Sequence, residues 1–218
     1  MRVIYCNHKL ILQHMAEAII MSGFPKSTNI IENILRFEIA KMEDFLVSGL
    51  GKENKHIERV TALGSVEPGT GHDCFLKGIV VTGVAEIPQH MAHQIARYHW
   101  WDIISSQSTM HKITQMDIAR ACSDEVDIRI INIINDYVDQ HNKATSKEEK
   151  HMLFRRIINN YPHGLHLTVG FVTNYLQLKT MRLQRKYHKM EEWKEDFITW
   201  TNGLPYFTML IGEEDTND

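Results

Sequence analysis

Residues 94–112 read QIARYHWWDIISSQSTMHK: one arginine, two histidines, two adjacent tryptophans and three serines, with almost no aliphatic stripe after Ile104. A segment that only filled a core would repeat apolar residues at strand or helix period. Basic groups, hydroxyls and flat aromatic faces together suit a phosphorylated, ring-bearing ligand. The stretch is expected to be irregular or extended. Trp100 and Trp101 have a stacking reading and a structural one, and large aromatics beside a helix end favour the structural one, in a core or a subunit interface.

The flanks predict alternating strands and helices. Residues 66–72, VEPGTGH, form a loop. Residues 75–83, FLKGIVVTG, predict a strand centred on Ile79-Val80-Val81. Pro88 opens a helix with its body over 90–98. After the focal stretch, Ser123 or Asp124 caps a helix to about His141, burying Val126, Ile128, Ile131, Ile133, Ile134 and Val138. Ser146, with Glu148-Glu149 behind it, starts another helix that runs to Asn159 and stops at Tyr161-Pro162. Residues 165–173 have strand character, 174–189 predict a basic helix, and 191–201 a last helix closed by Gly203-Leu204-Pro205. Nearer the start, residues 2–6 predict a strand, and apolar spacing from Leu10 to Met21 predicts a helix ended by Gly23-Phe24-Pro25. Ser27-Thr28-Asn29 offer caps, residues 35–46 read as strand turning into helix, Gly49-Leu50-Gly51 punctuate, and Asn54 caps a helix running to Leu63 and closed by Gly64. The expectation is one α+β domain over residues 1–218, with an acidic, frayed tail at 212–218.

Composition narrows the function classes. Hydrophobic content of 43% and charged content of 23% are ordinary for a globular protein, and a formal net charge of −3 gives no bulk attraction to nucleic acid or anionic membrane. No run approaches ~18 apolar residues, and MRVIYCNHK does not read as a signal peptide. Cys6, Cys74 and Cys122 are scattered, which fits a reducing cytoplasm and argues against a disulfide framework or a cysteine zinc site. Thirteen histidines are unusual. His90 and His93, like His163 and His166, stand at a spacing that can bind a metal on a helix, but no third ligand follows by spacing, so no metal is expected.

Three blocks resemble the flavin-dependent thymidylate synthases, the ThyX family. Gly71-His72-Asp73 looks like that family's Gly-His-Glu, and Arg97 follows His72 at the family interval. Gln94 and Arg97 fit the start of the signature Arg-His-Arg-x-x-Ser-x-Asn-Glu-x-Ser-x-Arg. Tyr161-Pro162, Asn174 and Arg185 match the family's Leu-Pro, Asn and Arg. Tyr98-His99 replace His-Arg. With one inserted residue, Ser108 becomes the second signature serine, Ser105-Ser106 replace Asn-Glu, and Met110 replaces the last arginine with His111 beside it. Ile158 stands where the family has another arginine, with Arg155 and Arg156 nearby.

The resemblance implies a ThyX-like fold, a mixed or antiparallel sheet flanked by helices, with active sites between subunits of a homotetramer. It implies conversion of dUMP to dTMP with FAD as cofactor and methylenetetrahydrofolate and NADPH as co-substrates. The alternatives are action on another pyrimidine nucleotide, or a non-catalytic nucleotide-binding or structural relative. Arg185 is the expected activating arginine, set against a plain solvated arginine on the basic RLQRK face. Gln94, Arg97, Ser106, Ser108, His111 and Arg185 would hold dUMP, unless the serines merely cap turns. His72, Cys74, Arg97, Tyr98, His99, Asn174 and Thr180 would hold FAD, with His72 equally readable as a loop histidine satisfied by backbone.

Overall fold

The structure, a computed structural model, describes residues 1–23 and 55–213. Strand β1 (Arg2–Cys6) leads into α1 (His8–Met21), and α2 (Lys55–Gly64) follows. A 3-10 segment, His72–Gly78, precedes β2 (Val80–Pro88), α3 (Gln89–Ile95), β3 (Asp102–Ser106), α4 (Thr109–Lys112) and α5 (Ile118–Ala121). The chain continues through α6 (Ile128–Lys143), α7 (Lys147–Asn160), β4 (His166–Asn174) and α8 (Tyr175–Arg185). A π-helical turn, Glu192–Phe197, then passes into α9 (Ile198–Asn202), and α10 (Phe207–Ile211) comes last.

The fold is α+β, with a four-stranded antiparallel sheet in the order β1-β2-β4-β3. Its register follows from the cross-strand bonds. Asn7 N–H donates to Thr82 O, while Arg2 reaches Glu86 at the far end of the same pair. Gln89 N–H donates to Leu165 O and Tyr175 N–H to Ile79 O, which runs β2 against β4. Gln107 N–H donates to Thr168 O beside β3, the edge strand. On β2 the period-two burial sends Val81, Ala85 and Ile87 inward.

The chain divides into two compact units: Met1–Ile4 with Val84–Phe171, and Tyr5–Gly83 with Val172–Asp218. In the first, the α6–α7 hairpin packs its apolar stripe on Ile113, Ile118, Cys122 and Leu165. Ser146 caps α7 by accepting from Glu149 N–H, as the capping pattern predicts. Trp101 is buried and stacks on Phe171 at 4.7 Å between centroids, so for that tryptophan the structural reading is right. In the second unit, Tyr175 meets Phe207 edge-on at 5.0 Å, and its hydroxyl donates to Pro205 O. Gly64 closes α2 where a Cβ would lie 1.7 Å from Leu210 O, so no other residue lets α10 approach this closely.

Several expectations are corrected. The strand predicted at 75–83 begins at Val80, because residues 72–78 wind at three per turn and turn Asp73, Leu76 and Ile79 inward together. The helix expected from Ser123 or Asp124 starts at Ile128, capped by Asp127, which accepts from Arg129 N–H. Ser123 Oγ instead lies 2.9 Å from His166 Nε2. On α6 the buried residues are Ile131, Ile134 and Val138, one face at helical period. Ile128 and Ile133 lie off that face and are 61% and 49% exposed. The basic helix ends at Arg185 rather than at residue 189, and the last predicted helix divides into a π turn and α9. Trp100 is 56% exposed and is not core. The readings of Ser27-Thr28-Asn29, residues 35–46, Gly49-Leu50-Gly51, the Asn54 cap and residues 214–218 of the acidic tail lie outside the described residues.

Candidate functional site

The loop predicted at 66–72 needs glycine at its end. Gly71 sits at φ 82, a left-handed conformation that L side chains rarely adopt, and it turns the chain into the 3-10 segment. That turn points His72 and Cys74 outward while Asp73 between them is 1% exposed. His72 and Cys74 line a cleft of about 600 Å³, closed on its other sides by Ala18 and Met21 of α1, Arg59 and Leu63 of α2, and Phe75. The walls are mainly apolar with a few polar groups, the composition of small-molecule sites.

Arg59 was not foreseen. It donates to Ile19 O at 2.9 Å and to Ser22 Oγ at 3.2 Å, so the C-terminus of α1 holds its guanidinium against the cleft. Burial pulls its pKa below the ordinary arginine value. The only trace in the sequence is the spacing of Arg59 and Leu63, which puts them on one face of a helix.

Asn174 and Thr180 stand on α8 in the same unit, and both have backbone duties. Asn174 is buried at the N-cap, where Oδ1 accepts from Gln177 N–H at 2.9 Å. Thr180 Oγ1 donates to Leu176 O one turn back. Arg185 ends the helix half-buried, its guanidinium 4.6 Å from the Trp193 ring centroid. That half-buried contact with a ring is distinct from the solvated-arginine reading. His188 beside it has a lowered pKa, from desolvation first and the Arg185 charge second.

The other predicted residues lie in the first unit. Gln94 is at the end of α3, and Arg97 follows in the turn, exposed, with its N–H donating to Gln94 O. Tyr98 is half-buried, and His99 is exposed, meeting Trp100 edge-on at 5.6 Å. Ser105 and Ser106 are on β3, not in a turn, and with Gln107, Thr168 and Gly170 they line a shallow groove. Ser108 occupies the N-cap position of α4 without a side-chain capping bond. The turn-capping reading therefore fails for these three serines. His111 is exposed at the end of α4. A polar cleft of about 580 Å³ opens beside them, with Lys112, Arg120, Gln115 and His166 among its lining; of these the sequence singled out only His166, in a possible metal pair with His163. Among the described residues, no three His, Cys, Asp or Glu side chains group to hold a metal, and no helix is long and apolar enough to cross a membrane.

Comparison with known proteins places this architecture. No family model matches the sequence, and no curated protein does. Among solved structures, flavin-dependent thymidylate synthase ThyX from Helicobacter pylori, complexed with FAD and dUMP, superposes with a TM-score of 0.60 at 11% identity, over 96% of each chain. A second structure of Thymidylate Synthase X from Helicobacter pylori, with FAD and dUMP, gives 0.58 at 12% identity, over 96% of this chain and 95% of that one. Across nearly its whole length, this chain has the α+β fold of the flavin-dependent thymidylate synthase ThyX.

Proposed function

We propose that the chain is a thymidylate synthase-like enzyme of ThyX type. It would bind FAD and convert dUMP to dTMP in the cytoplasm, with methylenetetrahydrofolate and NADPH as co-substrates. The observation that carries this reading is the likeness to FAD–dUMP complexes over 96% of both chains, joined to the residue blocks around His72, Arg97, Asn174 and Arg185.

The residues present fit a flavin. The cleft beside His72 and Cys74 offers apolar walls for a ring and the Arg59 cation for a negative group. His72, Cys74, Asn174 and Thr180, with Arg97, Tyr98 and His99, would hold the cofactor. When bound, FAD supplies hydride for reduction of the transferred carbon. Gln94, Arg97, Ser106, Ser108 and His111 would bind the nucleotide, with the His111 imidazole next to the place where the family has its last arginine. Arg185 holds the pyrimidine as its enolate-like anion; a guanidinium does this without losing its own proton. The Trp193 ring, its centroid 4.6 Å from the guanidinium carbon, supports that cation from one side. A homotetramer with active sites between subunits accounts for the exposed apolar surface of Trp100, Ile103 and Ile104 around the β3 edge.

One preparation tests the reading. Purified protein reconstituted with FAD is expected to absorb near ~450 nm as an oxidised flavoprotein, to scatter light as a tetramer, and to release tritium from 5-labelled dUMP. The signature differences at Tyr98-His99, Ser105-Ser106 and Met110 favour one second reading, a different pyrimidine nucleotide. A yellow protein that releases no tritium supports it. A colourless protein that takes up no FAD overturns both and leaves a non-catalytic relative.

A further inference from the structure

Lys179 lies in the middle of α8 and is 3% exposed, yet it is a lysine. Its ammonium has three donors and meets three acceptors: Asp73 Oδ2 at 2.8 Å, Gly64 O at 2.8 Å and Val66 O at 2.5 Å. Asp73 is equally buried, so neither charge is solvated, and each is compensated by the other. The two carbonyls come from the last residue of α2 and the start of the loop, and the carboxylate comes from the 3-10 segment. One side chain thus ties both ends of the loop at 64–73 to α8. This is the loop that presents His72 and Cys74 to the cleft, and the helix is the one that carries Asn174 and Thr180.

We propose that Lys179 is a positioning residue for the ligand cleft, tying the wall that bears His72 and Cys74 to α8 so that the cleft is formed before a ligand arrives. That the ligand is FAD rests on the function proposed above. The pair is a costly way to gain stability, because an apolar pair of similar volume does as well or better in a buried site. What an apolar pair lacks is direction: three hydrogen bonds from one ammonium set the loop's distance and orientation, and a pre-formed wall spares the ligand the cost of ordering it.

The test compares wild type, Asp73→Glu, and the double variant Lys179→Met/Asp73→Leu, which removes both charges and leaves none buried alone. The first readout needs no ligand: amide hydrogen exchange of the peptide spanning residues 64–75. It is expected to quicken at least tenfold in the double variant, while peptides of β4 and α6 keep their wild-type rates. The second is FAD affinity, measured by flavin fluorescence well below the melting temperature. It is expected to weaken at least tenfold in the double variant and to stay within about threefold in Asp73→Glu, which keeps the ion pair. A merely structural pair would lower the melting temperature without changing affinity in the folded protein. Unchanged exchange at 64–75 overturns the proposal, and so does faster exchange with unchanged FAD affinity. Wild type that binds no FAD but shows the exchange difference sinks the flavin reading and leaves the tethering role of Lys179 supported. If the double variant fails to fold, Lys179→Met/Asp73→Asn carries the same two readouts, because it also removes the three ammonium bonds and leaves no charge buried alone.

Discussion

Lys179 and Arg182 show how charge hides in a helix that reads as basic and solvated. Both face inward from α8. Lys179 is saturated by three acceptors, and Arg182 donates to Glu213, Ile198 O and Thr201 Oγ1. Leu183, the apolar neighbour, is the residue left 42% exposed. No propensity reveals this, because the acceptors lie far away in sequence and only folding brings them near. Arg185 differs in being half-buried, with its guanidinium 4.6 Å from the Trp193 ring centroid. We expect Arg185→Ala to lower the turnover of dUMP by about 100-fold or more, the scale for losing one charge-stabilising donor, with FAD affinity little changed. Tritium release at saturating dUMP measures it, and wild-type turnover in the variant would remove Arg185 from the chemistry.

At the scale of elements, β1 and β4 lie within one residue of their expected bounds, β2 is displaced, and of the expected caps Ser146 is in place while that of α6 moves to Asp127. Asn7 accepts from Leu10 N–H at the start of α1, Ser146 caps α7, and Asn174 caps α8, all through short polar side chains at the edge of an apolar pattern. The strand at 80–88 was shifted because FLKG and IVV form one apolar run, and only the left-handed Gly71 marks where the 3-10 turns begin. Asn174 separates cap from ligand contact. Asn174→Asp keeps the accepting oxygen and is expected to leave urea stability within about 0.5 kcal/mol of wild type, whereas Asn174→Ala loses about 1 kcal/mol. Both remove Nδ2. If that group holds flavin, both weaken FAD binding about tenfold, the worth of one hydrogen bond, as titration would read. Equal FAD affinity in wild type and the Asp variant would confine Asn174 to the cap.

At the scale of the whole molecule, two acids that folding desolvates, half-buried Cys6 and buried Tyr175, make stability fall at alkaline pH. Burial pushes the Cys6 thiol up to about 11, only partly opposed by the backbone hydrogen bond from Asn7. Burial also raises the Tyr175 phenol, with a smaller push from the Cys6 charge. Both groups bind their protons more tightly folded than unfolded, so unfolding releases protons as the pH climbs past their unfolded values. The Cys6 contribution is therefore complete below about pH 9 and is lost as the pH rises toward 11, while that of Tyr175 begins to fall only above pH 10. Urea midpoints taken from pH 8 to pH 10.5 are expected to fall, and Cys6→Ala is expected to flatten the fall. A midpoint independent of pH over that range in wild type would contradict the burial of both groups.

Local pattern alone determined most of the α+β alternation, the Ser146 cap of α7, and the residue blocks that resemble ThyX, because turn residues, β-branched runs and capping side chains act within a few positions. The tertiary structure decided the rest. It turned residues 72–78 into a 3-10 wall, took the three serines at 105, 106 and 108 out of turn-capping duty, brought Arg59 to the cleft beside His72, and buried Lys179 against Asp73. Each of these depends on partners tens of residues away, and a contact made at that separation leaves no period in the sequence from which to read it.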